Sequence, residues 1–355
     1  MFRGIPTMSY TILVTAPSLH PAGLKQLQAR GCSVDFIDLD IGAPELHAKL
    51  AARPYDGIIS RTVRLSAEGF DACPSLAAVS RHGVGLSNVD VGAASERNIA
   101  VFHTPGANAQ AVAEYTFALL LACVRRIVRF DGSVRSGQWT RTGDGTQLQG
   151  KTIGLVGFGR IARKVAQLAR SFEMKVIAFD PAMERGWDGD VEIFDSLNDM
   201  LKSCAVLSLH CPAKLGAPPI IGRAELYELP RGSVVINTAR GELIDEMALY
   251  NALETGQVAG AGLDTFAVEP VASDNPLLSH PNTVVSPHIA GSTPEALAAM
   301  ARGSVENLLS YLDLISGRPA TMSAQALASA CVNTVVCNKA INGRPATAHT
   351  KGSGR

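Results

Sequence analysis

The stretch GKTIGLVGFGRIARKVAQLARSFEMKVIAFD, residues Gly150–Asp180, decides how this chain is read. An apolar run over Thr152–Gly157 has the composition of a buried strand, and Gly157-x-Gly159-x-x-Ala162 then opens a helix. That helix sets Ile161, Val165, Leu168 and Phe172 at helical spacing, and a second strand over Lys175–Phe179 ends in Asp180. Each small residue has a physical task. Gly157 permits the tight turn, Gly159 lets a pyrophosphate approach the backbone, and Ala162 lets helix pack closely on strand. The free N–H groups and positive end of the helix then hold the phosphates. Asp180, twenty-one residues after Gly159, is placed to accept hydrogen bonds from the adenosine ribose and to repel a 2′-phosphate. The pattern predicts a bound dinucleotide, NAD rather than NADP.

Outward from that unit, short β-branched runs alternate with helical stretches in two series. Thr11–Thr15, Val34–Ile37, Gly57–Ser60, Ala77–Ser80 and Ile99–Phe102 form the first. Thr152–Gly157, Lys175–Phe179, Val206–His210, Val234–Asn237, Gly260–Asp264 and Thr283–Ser286 form the second. Strands apolar almost throughout imply parallel sheets covered on both faces, so the fold class is α/β with two doubly wound domains. The helical spacing predicts long apolar helices over Ala109–Val128 and Pro294–Leu314, the second returning the chain to the first domain. The expected division is a substrate domain over 1–106, completed by about 295–318, with the dinucleotide domain inserted at 107–294. Residues 319–355 are small and polar and read as a partly disordered tail.

With 355 residues, 32 basic against 32 acidic side chains and a pI near 7.1, the chain gives no electrostatic reason to expect nucleic acid or an anionic membrane as partner. Seven scattered cysteines, an odd number with no CxxC pair, favour reduced thiols and a cytoplasmic location. No metal-ligand spacing is present. No apolar run approaches the roughly 20 residues of a membrane span, and the opening residues carry no secretory-signal pattern.

Three further segments follow second-series strands: Asn237-Thr-Ala-Arg240-Gly, Asp264-Thr-Phe-Ala-Val-Glu269-Pro and Ser286-Pro-His288-Ile-Ala-Gly. Ligands of open parallel sheets bind beyond such strand ends. Hydride exchange with a 2-hydroxy acid needs a fixed cation for the carboxylate and carbonyl, which a guanidinium supplies through its planar fork. It needs a proton-exchanging group near neutral pH, for which histidine suits, and a carboxylate to orient that imidazole. Arg240, His288 and Glu269 match these needs and are the predicted catalytic set.

These segments, with SRT at Ser60–Thr62, GVGLSNVD at Gly83–Asp90, TPGAN at Thr104–Asn108 and SPHIAGST at Ser286–Thr293, make the chain closely resemble the D-2-hydroxyacid dehydrogenases. Phosphoglycerate dehydrogenases and hydroxypyruvate and glyoxylate reductases belong to that family. The resemblance spans about Tyr10–Arg318. It implies a flavodoxin-like substrate domain, an inserted Rossmann NAD-binding domain, a cleft that closes between them, and a homodimer through the Ala109–Val128 region. It further implies that Arg160 and Ile161 offer amides to the pyrophosphate. His210, Pro212, Thr238, Ala239, Asp264 and Gly291 would line the rest of the cofactor site. Val84 and Gly85 would hold the substrate carboxylate by backbone N–H groups, and Arg61 would meet a distal anionic end, favouring a phosphoglycerate- or hydroxypyruvate-like substrate. The sequence departs from the family's HxPLTxxT pattern at His210–Ile221, where both threonines are missing. Two alternatives share the fold: an NAD-responsive corepressor-like binding protein, and a formate- or phosphite-type dehydrogenase.

Overall fold

A computed structural model describes residues 9–38, 41–141, 143–214 and 216–342, the side chains of 341 and 342 excepted. The chain divides into two compact units, Met1–Asn108 with Pro294–Arg355, and Ala109–Thr293.

The first unit begins β1 (Thr11–Val14), α1 (Pro21–Ala29), β2 (Ser33–Phe36), α2 (Ala43–Ala51), β3 (Gly57–Ser60), α3 (Ala67–Asp71), β4 (Ala78–Arg81), α4 (Val91–Glu96) and β5 (Ala100–Phe102). The second unit runs α5 (Ala109–Val124), α6 (Ile127–Arg135), β6 (Thr152–Val156), α7 (Arg160–Ser171), β7 (Lys175–Phe179), β8 (Gly186–Asp188) and β9 (Val191–Phe194). It continues with α8 (Leu197–Leu201), β10 (Val206–Leu209), α9 (Arg223–Glu228), β11 (Ser233–Asn237), α10 (Glu246–Glu254), β12 (Val258–Leu263) and β13 (Thr283–Val285). The chain then re-enters the first unit as α11 (Pro294–Ile315), α12 (Ala324–Ala330) and α13 (Thr334–Asn342).

The first sheet is parallel with order β2-β1-β3-β4-β5, the flavodoxin-like order. The second has order β13-β12-β11-β10-β6-β7-β9-β8, a Rossmann sheet extended at both ends and antiparallel only at β8. Each reverses direction at one switch point, between β1 and β3 and between β6 and β10. Apolar clusters lie on both faces of each sheet, which explains strands with no polar alternation.

Several local readings change. Helix α5 stops at Val124, short of the expected Val128, because Arg126 adopts φ +55° and sends its guanidinium to the Ala259 carbonyl at 2.8 Å. The buried face of α7 is Ala162, Val165, Ala166 and Ala169, while Phe172 stays 39 % exposed. Small residues bring that helix close to its sheet, so the larger residues sit at the margins. The β8–β9 hairpin was not anticipated, its strands being only three and four residues long, with β9 burying just Val191 and Ile193.

The tail is the largest correction. Residues 324–342 form two helices on the first core, with Leu327 and Cys337 fully buried. Between them the chain covers the β5 edge. His103 N–H donates to the Ala330 carbonyl (3.1 Å), Val332 N–H to the Val101 carbonyl (2.8 Å), and Val101 N–H to Asn333 Oδ1 (2.8 Å). Residues 343–355 lie outside the described residues. Among the described residues no helix is long and apolar enough to cross a membrane, and all seven cysteines are free thiols.

Candidate active site

In the second unit, Gly157 ends β6 with φ +83°. A Cβ there would lie 2.9 Å from the His210 and Cys211 backbone at the end of β10, so this side of the switch point admits only glycine. Nothing lies within 4 Å of a Cβ built on Gly159, the N-cap of α7, which has no side-chain cap. The first turn of α7, with Arg160 and Ile161, therefore opens onto free space beside its positive end, and a pyrophosphate fits this cradle. Asp180 stands at the end of β7, accepting from Phe158 N–H (2.8 Å) and Ala182 N–H (3.0 Å). One hydrogen bond on each oxygen ties Asp180 to the glycine turn and leaves lone pairs for further donors.

His210 closes the other side of the switch point. Burial pushes its pKa down to about 3, so the ring is neutral, and Nε2 lies 2.9 Å from Ser208 Oγ. Pro212 begins an exposed irregular loop that runs to Ile220; Leu215 lies outside the described residues.

Three neighbouring strand ends carry the predicted catalytic residues. After β11, buried Asn237 shapes the turn, its Oδ1 accepting from Ala239 N–H (3.0 Å) and its Nδ2 donating to the Arg240 carbonyl (2.7 Å). Thr238 Oγ1 pairs with Thr116 Oγ1 at 2.8 Å. Arg240 donates to the Ala239 carbonyl at 2.6 Å and, among the described residues, pairs with no carboxylate. Gly241 lies so tightly beneath the Phe266–Ala267 backbone that no Cβ could be accommodated. Arg240 is thereby held against the segment that carries Glu269.

His288 follows β13 with φ +54°, a strained conformation for a non-glycine residue. Its Nδ1 lies 2.8 Å from Glu269 Oε2, and Glu269 Oε1 accepts from Phe266 N–H at 3.1 Å. The imidazole thus commits Nδ1 to the carboxylate and keeps Nε2 for a ligand.

Asp264, expected to line the cofactor site, follows β12 and is buried. It is 1 % exposed, and its oxygens accept from Ser286 Oγ (2.6 Å), Ile289 N–H (2.9 Å) and Ala290 N–H (2.8 Å). His288 N–H donates to its carbonyl at 2.8 Å. Asp264 anchors the loop that carries His288 and turns at Gly291. Sequence reasoning missed this role and that of Asn237, although a lone Asp and a lone Asn at the ends of otherwise apolar strands were the available signals. Among the described residues no cluster of His, Cys, Asp and Glu could hold a metal ion.

In the first unit, Arg61 follows β3 beside the β1–β3 switch point, where its N–H donates to Thr15 Oγ1 at 2.9 Å. Burial alone lowers the pKa of its guanidinium, which pairs with no carboxylate among the described residues. Val84 and Gly85 follow β4 on a half-buried turn, and their N–H groups donate to nothing among the described residues.

Residues 117–290 match the family described as D-isomer specific 2-hydroxyacid dehydrogenase, NAD binding domain. The chain is 40 % identical over 260 residues to a glyoxylate reductase from Thermofilum pendens, a match covering 71 % of this chain and 76 % of that one. It is 40 % identical over 246 residues to a D-3-phosphoglycerate dehydrogenase from Archaeoglobus fulgidus, covering 68 % of this chain but only 46 % of the longer relative. Among solved structures, the TT0316 protein of Thermus thermophilus superposes with a TM-score of 0.80 at 36 % identity, covering 88 % of this chain and 98 % of that one. The chain therefore belongs to the D-isomer-specific 2-hydroxyacid dehydrogenase family, and its second unit is that family's NAD-binding domain.

Proposed function

We propose that this dehydrogenase interconverts a small 2-oxo acid and its D-2-hydroxy acid with NAD(H), through Arg240 and His288 oriented by Glu269. The observation that carries this reading is the 2.8 Å contact between His288 Nδ1 and Glu269, which leaves Nε2 as the proton-exchanging atom. In the reducing direction, Nε2–H of the imidazolium gives its proton to the carbonyl oxygen as C2 receives hydride. The Glu269 carboxylate at Nδ1 offsets the positive charge that the imidazole gains or loses. The Arg240 fork holds the substrate carboxylate and draws electron density toward the carbonyl oxygen. Bound NADH would supply the hydride, held at the Gly157–Ile161 turn and at Asp180. His210, Pro212, Thr238, Ala239 and Gly291 are read as its remaining surroundings.

On the first unit, Val84 and Gly85 offer amides to the carboxylate and Arg61 offers a guanidinium that pairs with no carboxylate among the described residues to a substrate's distal anionic or polar end. A desolvated cation gains most from an anion and less from a hydroxyl, which favours phosphohydroxypyruvate-like and then hydroxypyruvate-like substrates over glyoxylate. The reading includes a homodimer through α5 and its continuation, where Ile127 and Val128 are 53 % and 56 % exposed.

The test is NADH oxidation with glyoxylate, pyruvate, hydroxypyruvate and phosphohydroxypyruvate, repeated with Arg61→Ala. A fall in kcat/KM of about tenfold or more confined to substrates with a polar or anionic tail is expected. Absence of turnover on all four would reject the reading.

A further inference from the structure

Beyond β4 the first unit makes a turn in which three successive carbonyls each meet a polar group of the same unit. The Gly83 carbonyl accepts two hydrogen bonds from Thr104, from N–H and from Oγ1, each 3.0 Å. The Val84 carbonyl faces His103 Nδ1 at 3.4 Å. The Gly85 carbonyl accepts from Arg81 Nε at 2.9 Å. The same guanidinium, through Nη1, holds the Ser60 carbonyl (3.0 Å) and the His82 carbonyl (3.1 Å), so it also ties the end of β3 to the turn.

A trans peptide is planar, and its C=O and the following N–H point in opposite directions. Holding the carbonyls of Gly83, Val84 and Gly85 on these partners therefore turns the N–H groups of Val84, Gly85 and Leu86 away from them. None of those three N–H groups donates a hydrogen bond among the described residues. Three successive amides with no acceptor among the described residues, on a half-buried turn, are available to the two oxygens of a carboxylate.

We infer that Arg81 and Thr104 are positioning residues that set a three-amide carboxylate site, with Leu86 N–H as its third donor. This rests on the proposed 2-oxo acid chemistry only for the identity of the ligand. Neither side chain need touch substrate. Arg81 acts through the Gly85 carbonyl, and Thr104, 5 % exposed, acts through that of Gly83.

The experiment pairs kinetics with direct observation of the amides. Thr104→Val keeps the shape of the side chain and the backbone donor but removes the hydroxyl, whereas Thr104→Ser keeps the hydroxyl. Arg81→Met removes the guanidinium bonds to the Ser60, His82 and Gly85 carbonyls, and Arg81→Lys keeps a charge that reaches fewer carbonyls. At saturating NADH, Thr104→Val should raise KM for the 2-oxo acid about fivefold and Arg81→Met about tenfold or more. In both, kcat should stay within about threefold and the Kd for NADH within about twofold. Thr104→Ser should return KM to the wild-type value, which a merely structural loss would not do. In amide NMR of the wild-type protein with NADH, oxamate should shift the Val84, Gly85 and Leu86 resonances together. Unchanged KM in Thr104→Val and Arg81→Lys, or oxamate shifts that miss these amides while it binds, would overturn the inference. Oxamate shifts at these amides in an enzyme that turns over no 2-oxo acid would leave the inference standing and reject the proposed function.

Discussion

Replacing Asp264 by Asn tests whether the loop after β13 is what places His288, the proposed acid–base group. The native carboxylate accepts three hydrogen bonds from this loop, all at 2.6–2.9 Å and all shielded from water. An asparagine can keep its oxygen toward Ser286 Oγ and Ile289 N–H, but its amide nitrogen then meets Ala290 N–H, donor against donor. Hydrogen bonds to charged groups contribute about 1.5–3 kcal/mol, and an unsatisfied buried donor costs a similar amount. The loop can relieve this only by moving, and His288 lies within it at a φ that relaxes once the loop is free. If the whole penalty appears as lost placement of Nε2, kcat falls roughly ten- to hundredfold. The melting temperature should fall on the order of 5 °C for a domain of this size. Steady-state kinetics at saturating NADH, a fluorescence titration of NADH and a thermal melt separate the possibilities. A kcat within twofold of wild type, with an unchanged melting temperature, would refute the argument. Normal kcat with weakened NADH binding would instead place Asp264 at the nicotinamide.

Further outcomes are expected from other parts of the molecule. Arg240→Lys exchanges a planar fork for a point charge and should lower kcat/KM by tens to about a hundredfold, with NADH affinity unchanged in a titration. Asp180→Ala removes the carboxylate proposed to meet the ribose and should shift the kcat/KM ratio toward NADPH; an unaltered ratio would remove Asp180 from cofactor choice. His82 is 4 % exposed, and burial pushes its pKa down to about 4 from 6.5. Its unfolded form therefore binds the proton more readily. The stability that comes from keeping it neutral is complete above about pH 6.5 and is lost as the pH falls toward 4. Denaturant unfolding of His82→Gln at pH 7 and pH 5 should show a pH dependence smaller by about 2 kcal/mol than wild type. Ending the chain at Arg318 removes Leu327 and Cys337 from the first core. At about 1.5–3 kcal/mol per large buried side chain, the loss should lower the melting temperature markedly. A truncated protein with wild-type stability would show that α12 and α13 are dispensable.

Much of this was legible in the sequence because the physics was local. Gly157, Gly159 and Ala162 are dictated by a turn and a helix contact a few residues away, and the strand runs were visible because both sheet faces are covered. Arg240, Glu269 and His288 could be singled out as candidates because each follows a strand end. What was hidden depended on distant partners. The break after α5 comes from Arg126 reaching Ala259, and the Asp264 anchor from residues more than twenty positions on. The segment after Arg318 looked like a tail because its alanines, serines and threonines give a weak periodic signal. Its helices exist because the first core offers them a surface.

The interrupted first unit has a consequence for synthesis. Leu308 of α11 packs so closely on β3 that it meets the space a Cβ at Gly57 would fill, and Ala330–Asn333 supply the last partners of β5. A ribosome therefore releases the whole inserted unit before it makes the residues that finish the enclosing one. The NAD-binding unit can mature first, while β5 waits with an open edge, a natural docking point for a chaperone or for the wrong strand.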